Sequence, residues 1–170
     1  YKFIKIKNPN EIKSFLDDFC KDKILRGTIL LATEGINASI SGKERDLQNI
    51  IKKIKILLNI TDFNIKNNSI KFLPFNKMRV KIKKEIVSLG QHNININKYT
   101  GKFVDPKNWN NLILDPGTKV IDVRNEFEIG IGKFINSINP MTESFREFPE
   151  SLTKMDINKN DTIAMYCTGG

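Results

Sequence analysis

A chain of 170 residues that is 39% hydrophobic and carries a net charge of +9 can bury a core, and its length suits one large or two small domains. No apolar run approaches the roughly 18 residues of a membrane-spanning helix, and "YKFIKIKNPNE" lacks the unbroken apolar stretch of a secretory signal, so a cytoplasmic protein with no membrane partner is expected. Two distant cysteines and one histidine give neither a disulfide framework nor a zinc pattern, and no metal or organic cofactor is readable. The chain begins with Tyr1 rather than Met, so trimmed ends are expected.

Residues 1–100 hold 20 basic and 9 acidic side chains, net +11, whereas residues 101–170 hold 8 and 10, net −2. This shift predicts two domains, a basic one over 1–90 and a second over 105–170, joined by a polar linker over 91–104. In the linker, "GQHNININKYTG" is too rich in Asn for regular structure, and His92 reads as a solvated side chain.

In chain order, "KFIKIK" alternates apolar and basic residues as a half-buried strand does. Ile12, Phe15, Leu16, Phe19 and Cys20 then have the spacing of one helix face, predicting a helix over 10–25 with Cys20 as core filler. The apolar run 26–32 suits a central strand, Gly35 a turn, and 36–40 the returning strand of a hairpin. Ser41 and Glu44 have the spacing of a capping box, opening a second helix that turns Leu47, Ile50, Ile51, Ile54 and Leu58 inward. A strand over 63–66 would complete β-α-β-β-α-β, a ferredoxin-like α+β domain with two helices on one antiparallel sheet.

"KMRVKIKK" follows, and its period of two places Lys77, Arg79, Lys81 and Lys83 on one face of a strand, with Met78, Val80 and Ile82 on the other. Cations about 6.6 Å apart, twice the rise per residue, can meet successive phosphates, which makes these four the RNA-binding candidates. The same pattern also suits an edge strand that lysine protects from aggregation.

The second half reads as α/β. Asp105 and Pro106 are the N-cap and first residue of a short helix to Ile113, and "DPG" at 115–117 is a turn. "KVIDVRNEFEIGIGKF" is a strand running into Asp122, Arg124, Glu126 and Glu128, polar residues at the strand end where open α/β sheets place their sites, with Asp122 and Arg124 read as a pair that fixes the following loop. Helical pieces over 142–155 precede a last strand over 161–166, which delivers Cys167 into Thr168, Gly169 and Gly170. Strand, helices and strand in this order begin a parallel sheet.

The segments "ATEGINASISG", "EIVSLG", "DVRNEFEIGIGKF", "FREFP" and "YCTGG" together resemble the bacterial tRNA uridine hydroxylase family, rhodanese-related proteins that form 5-hydroxyuridine at the wobble position. That resemblance covers nearly the whole chain. It implies the first part of a rhodanese-like domain after the ferredoxin-like one, tRNA as partner, molecular oxygen as co-substrate, and Cys167 as the catalytic, persulfide-forming cysteine. It further implies an active-site loop of Thr168, Gly169 and Gly170, supported by Asp122 and Arg124. In the family this loop continues with Ile, Arg and a second Cys, so the chain is expected to hold only the first half of the anion cradle and to be inactive by itself. A sulfurtransferase passing on a cysteine persulfide and a non-catalytic rhodanese-like binding module remain the alternative readings.

Overall fold

The computed structural model describes residues 1–91 and 101–168; most of the linker, with His92, and both Gly169 and Gly170 lie outside the described residues. The chain divides into two compact units, Tyr1–Val87 and Ser88–Gly170.

The first unit runs β1 (Lys2–Phe3), α1 (Pro9–Cys20), β2 (Leu25–Ala32), β3 (Gly35–Gly42), α2 (Glu44–Leu58) and β4 (Met78–Ile82), the expected β-α-β-β-α-β order. The sheet order is β1-β3-β2-β4. β2 and β3 form an antiparallel hairpin from Leu25↔Gly42 to Ala32↔Gly35, while β4 lies parallel to β2 on its other side, from Gly27↔Met78 to Leu31↔Ile82. Alternation along the strands decides what is buried. Leu25, Ile29, Leu31, Ile36 and Val80 meet Leu16 and Cys20 of α1 and Ile50, Ile54 and Leu58 of α2 in one core. Each fully buried aliphatic side chain of this kind contributes about 1.5–3 kcal/mol.

Three expectations for this unit are corrected. The sixth element is the basic strand 78–82 and not residues 63–66, which form no strand, so the sheet is mixed rather than wholly antiparallel. Residues near 63–66 still touch the sheet edge, since Tyr1 and Asn64 exchange two hydrogen bonds of 2.9 and 3.2 Å, as facing residues of an antiparallel pair do. Ser41 is no N-cap: β3 continues through Gly42, Lys43 takes the N-cap position, and the Ser41 hydroxyl is buried without a partner among the described residues. Helix α1 stops at Cys20 rather than at residue 25, because Leu25 is required as the first core residue of β2. A smaller difference concerns Ile82, which at the end of β4 is 40% exposed.

Gly27 of β2 lies close against the backbone of β3. Its φ is +129°, and a Cβ there would lie 2.1 Å from the Ser39 carbonyl oxygen. Gly27→Ala is therefore expected to cost at least about 2 kcal/mol through backbone strain and displaced pairing. A urea titration that leaves the unfolding midpoint unchanged would contradict this reading.

The second unit contains α3 (Pro106–Ile113), β5 (Thr118–Asp122), α4 (Glu126–Ile131), a 3-10 turn at Phe145–Glu147, α5 (Phe148–Lys154) and β6 (Thr162–Tyr166). Asp105 caps α3 by accepting from the Lys107 N–H, and Asp115 Oδ1 accepts from the Gly117 N–H in the turn that leads into β5. β5 and β6 are parallel, in register from Thr118↔Thr162 to Asp122↔Tyr166, and Ile138 adds a parallel bridge to Ile121. This is the parallel pair expected for the first part of a rhodanese-like sheet. Val120, Ala164 and Ile113 form its core, flanked by Trp109, Leu112 and Tyr166.

Candidate active site

Strand register brings the chemistry of the second unit together. Asp122 and Tyr166 are partners at the C-terminal ends of the parallel pair, so Val123 and Cys167, the next residues, leave the sheet side by side; the Val123 N–H donates to the Tyr166 carbonyl at 3.0 Å. Cys167 is a free, exposed thiol at this tip. Cys20 is the opposite case, buried at the end of α1, where burial pushes its thiol up, with Lys23 opposing and Asp17 adding to the shift. A buried neutral thiol is chemically inert, and of the two cysteines only Cys167 is exposed.

Beneath Cys167 lies a polar network. The Asp122 side chain is inaccessible to solvent and accepts from Arg124 Nε at 2.9 Å and Nη2 at 2.6 Å, a two-point contact that fixes the guanidinium plane. Nη2 also donates to the Gly132 carbonyl at 2.6 Å, tying the strand end to the residue that closes α4. The Tyr166 hydroxyl donates to Asp122 Oδ2 and accepts from the Phe134 N–H at 3.2 Å, and it lies 3.2 Å from Ser137 Oγ. The Arg124 guanidinium stands 5.4 Å from the centre of the Tyr166 ring, a cation–π distance. The ring itself packs edge-on against Phe134 and Trp109, at 4.8 and 6.0 Å. The Trp109 indole N–H is buried without an acceptor among the described residues.

Burial alone pushes the Asp122 carboxyl up, but the hydrogen bonds from Arg124 and Tyr166 outweigh it and hold the group below the usual carboxylate range. The same bonds raise Arg124. A carboxylate whose folded pKa is depressed stabilises the fold at all pH values above its unfolded pKa of about 4. That contribution is lost as pH falls through the lower folded value. The stability of the wild type is thus expected to fall below about pH 4 more steeply than that of Asp122→Asn, read as unfolding midpoints across an acid series. Parallel curves would mean that the pair is not coupled to folding.

Thr168, the residue after Cys167, is tied down from a third element. Asn125 and Glu128 form a full capping box at the start of α4, with Glu128 Oε2 accepting from the Asn125 N–H at 3.2 Å. The other oxygen, Oε1, accepts from the Thr168 hydroxyl. One carboxylate therefore links the start of α4 to the residue beside the exposed thiol. Gly169 and Gly170, the other two expected loop residues, lie outside the described residues.

The expected site residues thus fall into two groups. Asp122, Arg124, Cys167 and Thr168 gather at one sheet edge in the second unit. Lys77, Arg79, Lys81 and Lys83 belong to the first unit, where all four are exposed on or beside β4. Sequence reasoning missed Tyr166 and Ser137, and it gave Glu128 no partner. Tyr166 carried a usable signal, since a tyrosine entering a core seeks a partner for its hydroxyl and the facing strand ends on an aspartate. Among the described residues, no three His, Cys, Asp or Glu side chains gather as a metal site.

The family model described as the UPF0176 acylphosphatase like domain matches residues 1–86. The chain belongs to the UPF0176 family. Relatives are similar over its whole length, including the second unit. One from Wolbachia sp. subsp. Brugia malayi (strain TRS) is 43% identical over 170 residues, covering all of this chain and 63% of the relative. Another from Wolbachia pipientis wMel is 42% identical, covering 62% of the relative. A third, from Pelagibacter ubique (strain HTCC1062), is 47% identical over 171 residues, covering 56% of the relative. Each of the three bears the name tRNA uridine(34) hydroxylase. The chain thus spans between 56 and 63% of the length of these relatives.

Proposed function

We propose that this UPF0176 chain is the tRNA-positioning and cysteine-bearing part of an enzyme that hydroxylates the wobble uridine of tRNA to 5-hydroxyuridine. The observation that carries the reading is the likeness to hydroxylases across all 170 residues. Molecular oxygen is the co-substrate. One of its atoms replaces hydrogen at C5 of the uracil ring, and the other leaves as water with two electrons from a reductant.

Residues of the chain divide the work. β6 carries Cys167 to the sheet edge, where its thiol is exposed. Asp122, Arg124 and Tyr166 hold the strand ends beneath it in one geometry, as a reacting group requires. Thr168 and Glu128 restrain the loop that follows. In the first unit, Lys77, Arg79, Lys81 and Lys83 offer charge to tRNA phosphates. A cytoplasmic location follows from tRNA as substrate, and no helix among the described residues is long and apolar enough to cross a membrane.

The test is complementation. A strain whose tRNA lacks 5-hydroxyuridine is given the full-length gene, and its tRNA nucleosides are resolved by mass spectrometry. Appearance of 5-hydroxyuridine supports the reading; uridine left unmodified by a well-expressed protein removes it.

A further inference from the structure

We infer that the face of the first unit's sheet turned away from its helices is a platform for an RNA backbone, in which the hydroxyls of Thr28 and Ser39 read ribose 2′-hydroxyls between the phosphate-binding cations. The core occupies the other face, where Leu25, Ile29, Leu31, Ile36 and Val80 meet α1 and α2. Because side chains alternate, Arg26, Thr28, Ser39, Ser41, Arg79 and Lys81 fall on the face without helices.

Register arranges this face in rows. Thr28 is the partner of Arg79 on one side and of Ser39 on the other, so a cation and two hydroxyls line up across three strands, about 4.8 Å from strand to strand. In the row before it Arg26 pairs with Ser41, and in the row after it Leu30 lies between Lys81 and Asn37. Arg79, Lys81 and Ser39 are exposed and Thr28 is half-buried. Asn37 is already engaged, donating to the Ile86 carbonyl at 3.1 Å. Ser41, 8% exposed, lies on the same face, and its hydroxyl has no partner among the described residues.

Chemistry selects the occupant. A column of cations faces a polyanion, and the spacing of about 6.6 Å between alternate residues suits consecutive phosphates of one strand. No aromatic side chain stands in these three rows, and Phe3, the partner of Gly35, comes only in the row beyond them, so recognition at the rows themselves falls on phosphate and sugar. A hydroxyl that can donate and accept beside a phosphate-binding cation meets the 2′-hydroxyl, the group that separates RNA from DNA. The inference rests on the tRNA reading above for which RNA is bound, while the preference for ribose rests on the rows themselves.

The experiment uses the full-length protein and fluorescence anisotropy with a labelled tRNA anticodon stem-loop, made as RNA and as DNA of the same sequence, over a salt series. The wild type should bind the RNA form more tightly. Combining Thr28→Val with Ser39→Ala should lower affinity for RNA about 10-fold, on the scale of one or two lost hydrogen bonds, and leave DNA binding unchanged. Combining Arg79→Gln with Lys81→Gln should weaken both forms alike and flatten the salt slope by about 1 per cation removed. Equal wild-type affinity for RNA and DNA overturns the inference, as does a hydroxyl variant that still prefers RNA to the same degree. Polyglutamate competing as well as RNA at equal charge would overturn it by assigning the face to an acidic protein. Circular dichroism melting of each variant separates lost contacts from lost folding. A protein that prefers RNA in this way yet yields no 5-hydroxyuridine leaves the platform standing and removes the proposed function alone.

Discussion

Cys167→Ser in the full-length protein is expected to lower 5-hydroxyuridine formation by at least about 10³-fold, the scale on which loss of an essential nucleophile is felt. The substitution removes one sulfur from an exposed position beyond the last residue of β6, so the strand pairing and the core of Val120, Ala164 and Ile113 are untouched. Stability should change little, because Cys167 takes part in neither the strand pairing nor that core. Binding of tRNA should also persist, because the cations assigned to phosphate contact lie on β4. Cys20→Ser inverts the pattern: it introduces a hydroxyl into the core between α1 and the sheet, lowers the unfolding midpoint and spares chemistry in whatever fraction remains folded. Comparing nucleoside yields for the two serine variants, normalised to folded protein, checks both halves of the expectation. Full hydroxylation by Cys167→Ser would mean that the thiol is not the reacting group.

Asp122→Ala is expected to produce the largest loss of stability among the site substitutions, on the order of 2–3 kcal/mol, because it removes a fully buried carboxylate, deprives the half-buried Tyr166 hydroxyl of its charged acceptor and opens a void at the strand end. Arg124 loses its two-point partner in the same change, and its remaining bond to the Gly132 carbonyl cannot replace a carboxylate. Tyr166→Phe removes only one hydroxyl from this network and should cost about 1 kcal/mol. The order of the two effects carries the argument. If Asp122 supports the sheet edge through both Arg124 and Tyr166, the double variant should be less destabilised than the sum of the single ones, since its two losses share one bond. Thermal unfolding followed by Trp109 fluorescence reports on this region directly, because Trp109 is the chain's one tryptophan and its ring lies 6.0 Å from that of Tyr166. Strictly additive losses would show that the three side chains do not act as a unit.

What the sequence made legible follows from the range of the forces involved. Periodicity placed α1, α2, β2 and β3, because a helix stripe and a strand alternation are written in neighbouring residues. Asp105 and Pro106 likewise announced α3, since a cap is a local bond. The fourth strand was misplaced for the converse reason. Residues 63–66 and 78–82 both carry strand-like alternation, and only pairing with β2, some fifty residues away in sequence, selects the second. Ser41 looked like an N-cap by its spacing to Glu44, but pairing with Arg26 holds it in the sheet. Tertiary contact overrode a local signal in both cases.

Legibility of the candidate site was similarly divided. Cys167 stood out because a strand ending in a cysteine and glycines is a local arrangement. The pairing of Asp122 with Arg124, two residues apart, is equally local. Tyr166 and Glu128 reach across 44 and 40 residues to Asp122 and Thr168, and no spacing rule announces such contacts. The polar rows of the first sheet were half legible. The cations on and beside β4 alternate along one short stretch of sequence, whereas Thr28 and Ser39 join them only through strand register.

The central claim is that this chain belongs to an enzyme placing an oxygen atom from O₂ on C5 of the wobble uridine. A strain whose tRNA contains 5-hydroxyuridine only when the full-length gene is supplied can be grown under ¹⁸O₂ in unlabelled water, and its wobble nucleoside analysed by mass spectrometry. The account predicts 5-hydroxyuridine carrying one ¹⁸O atom, and none when the supplied gene encodes Cys167→Ser. A nucleoside whose added oxygen is unlabelled, and so derives from water or an organic donor, would contradict it.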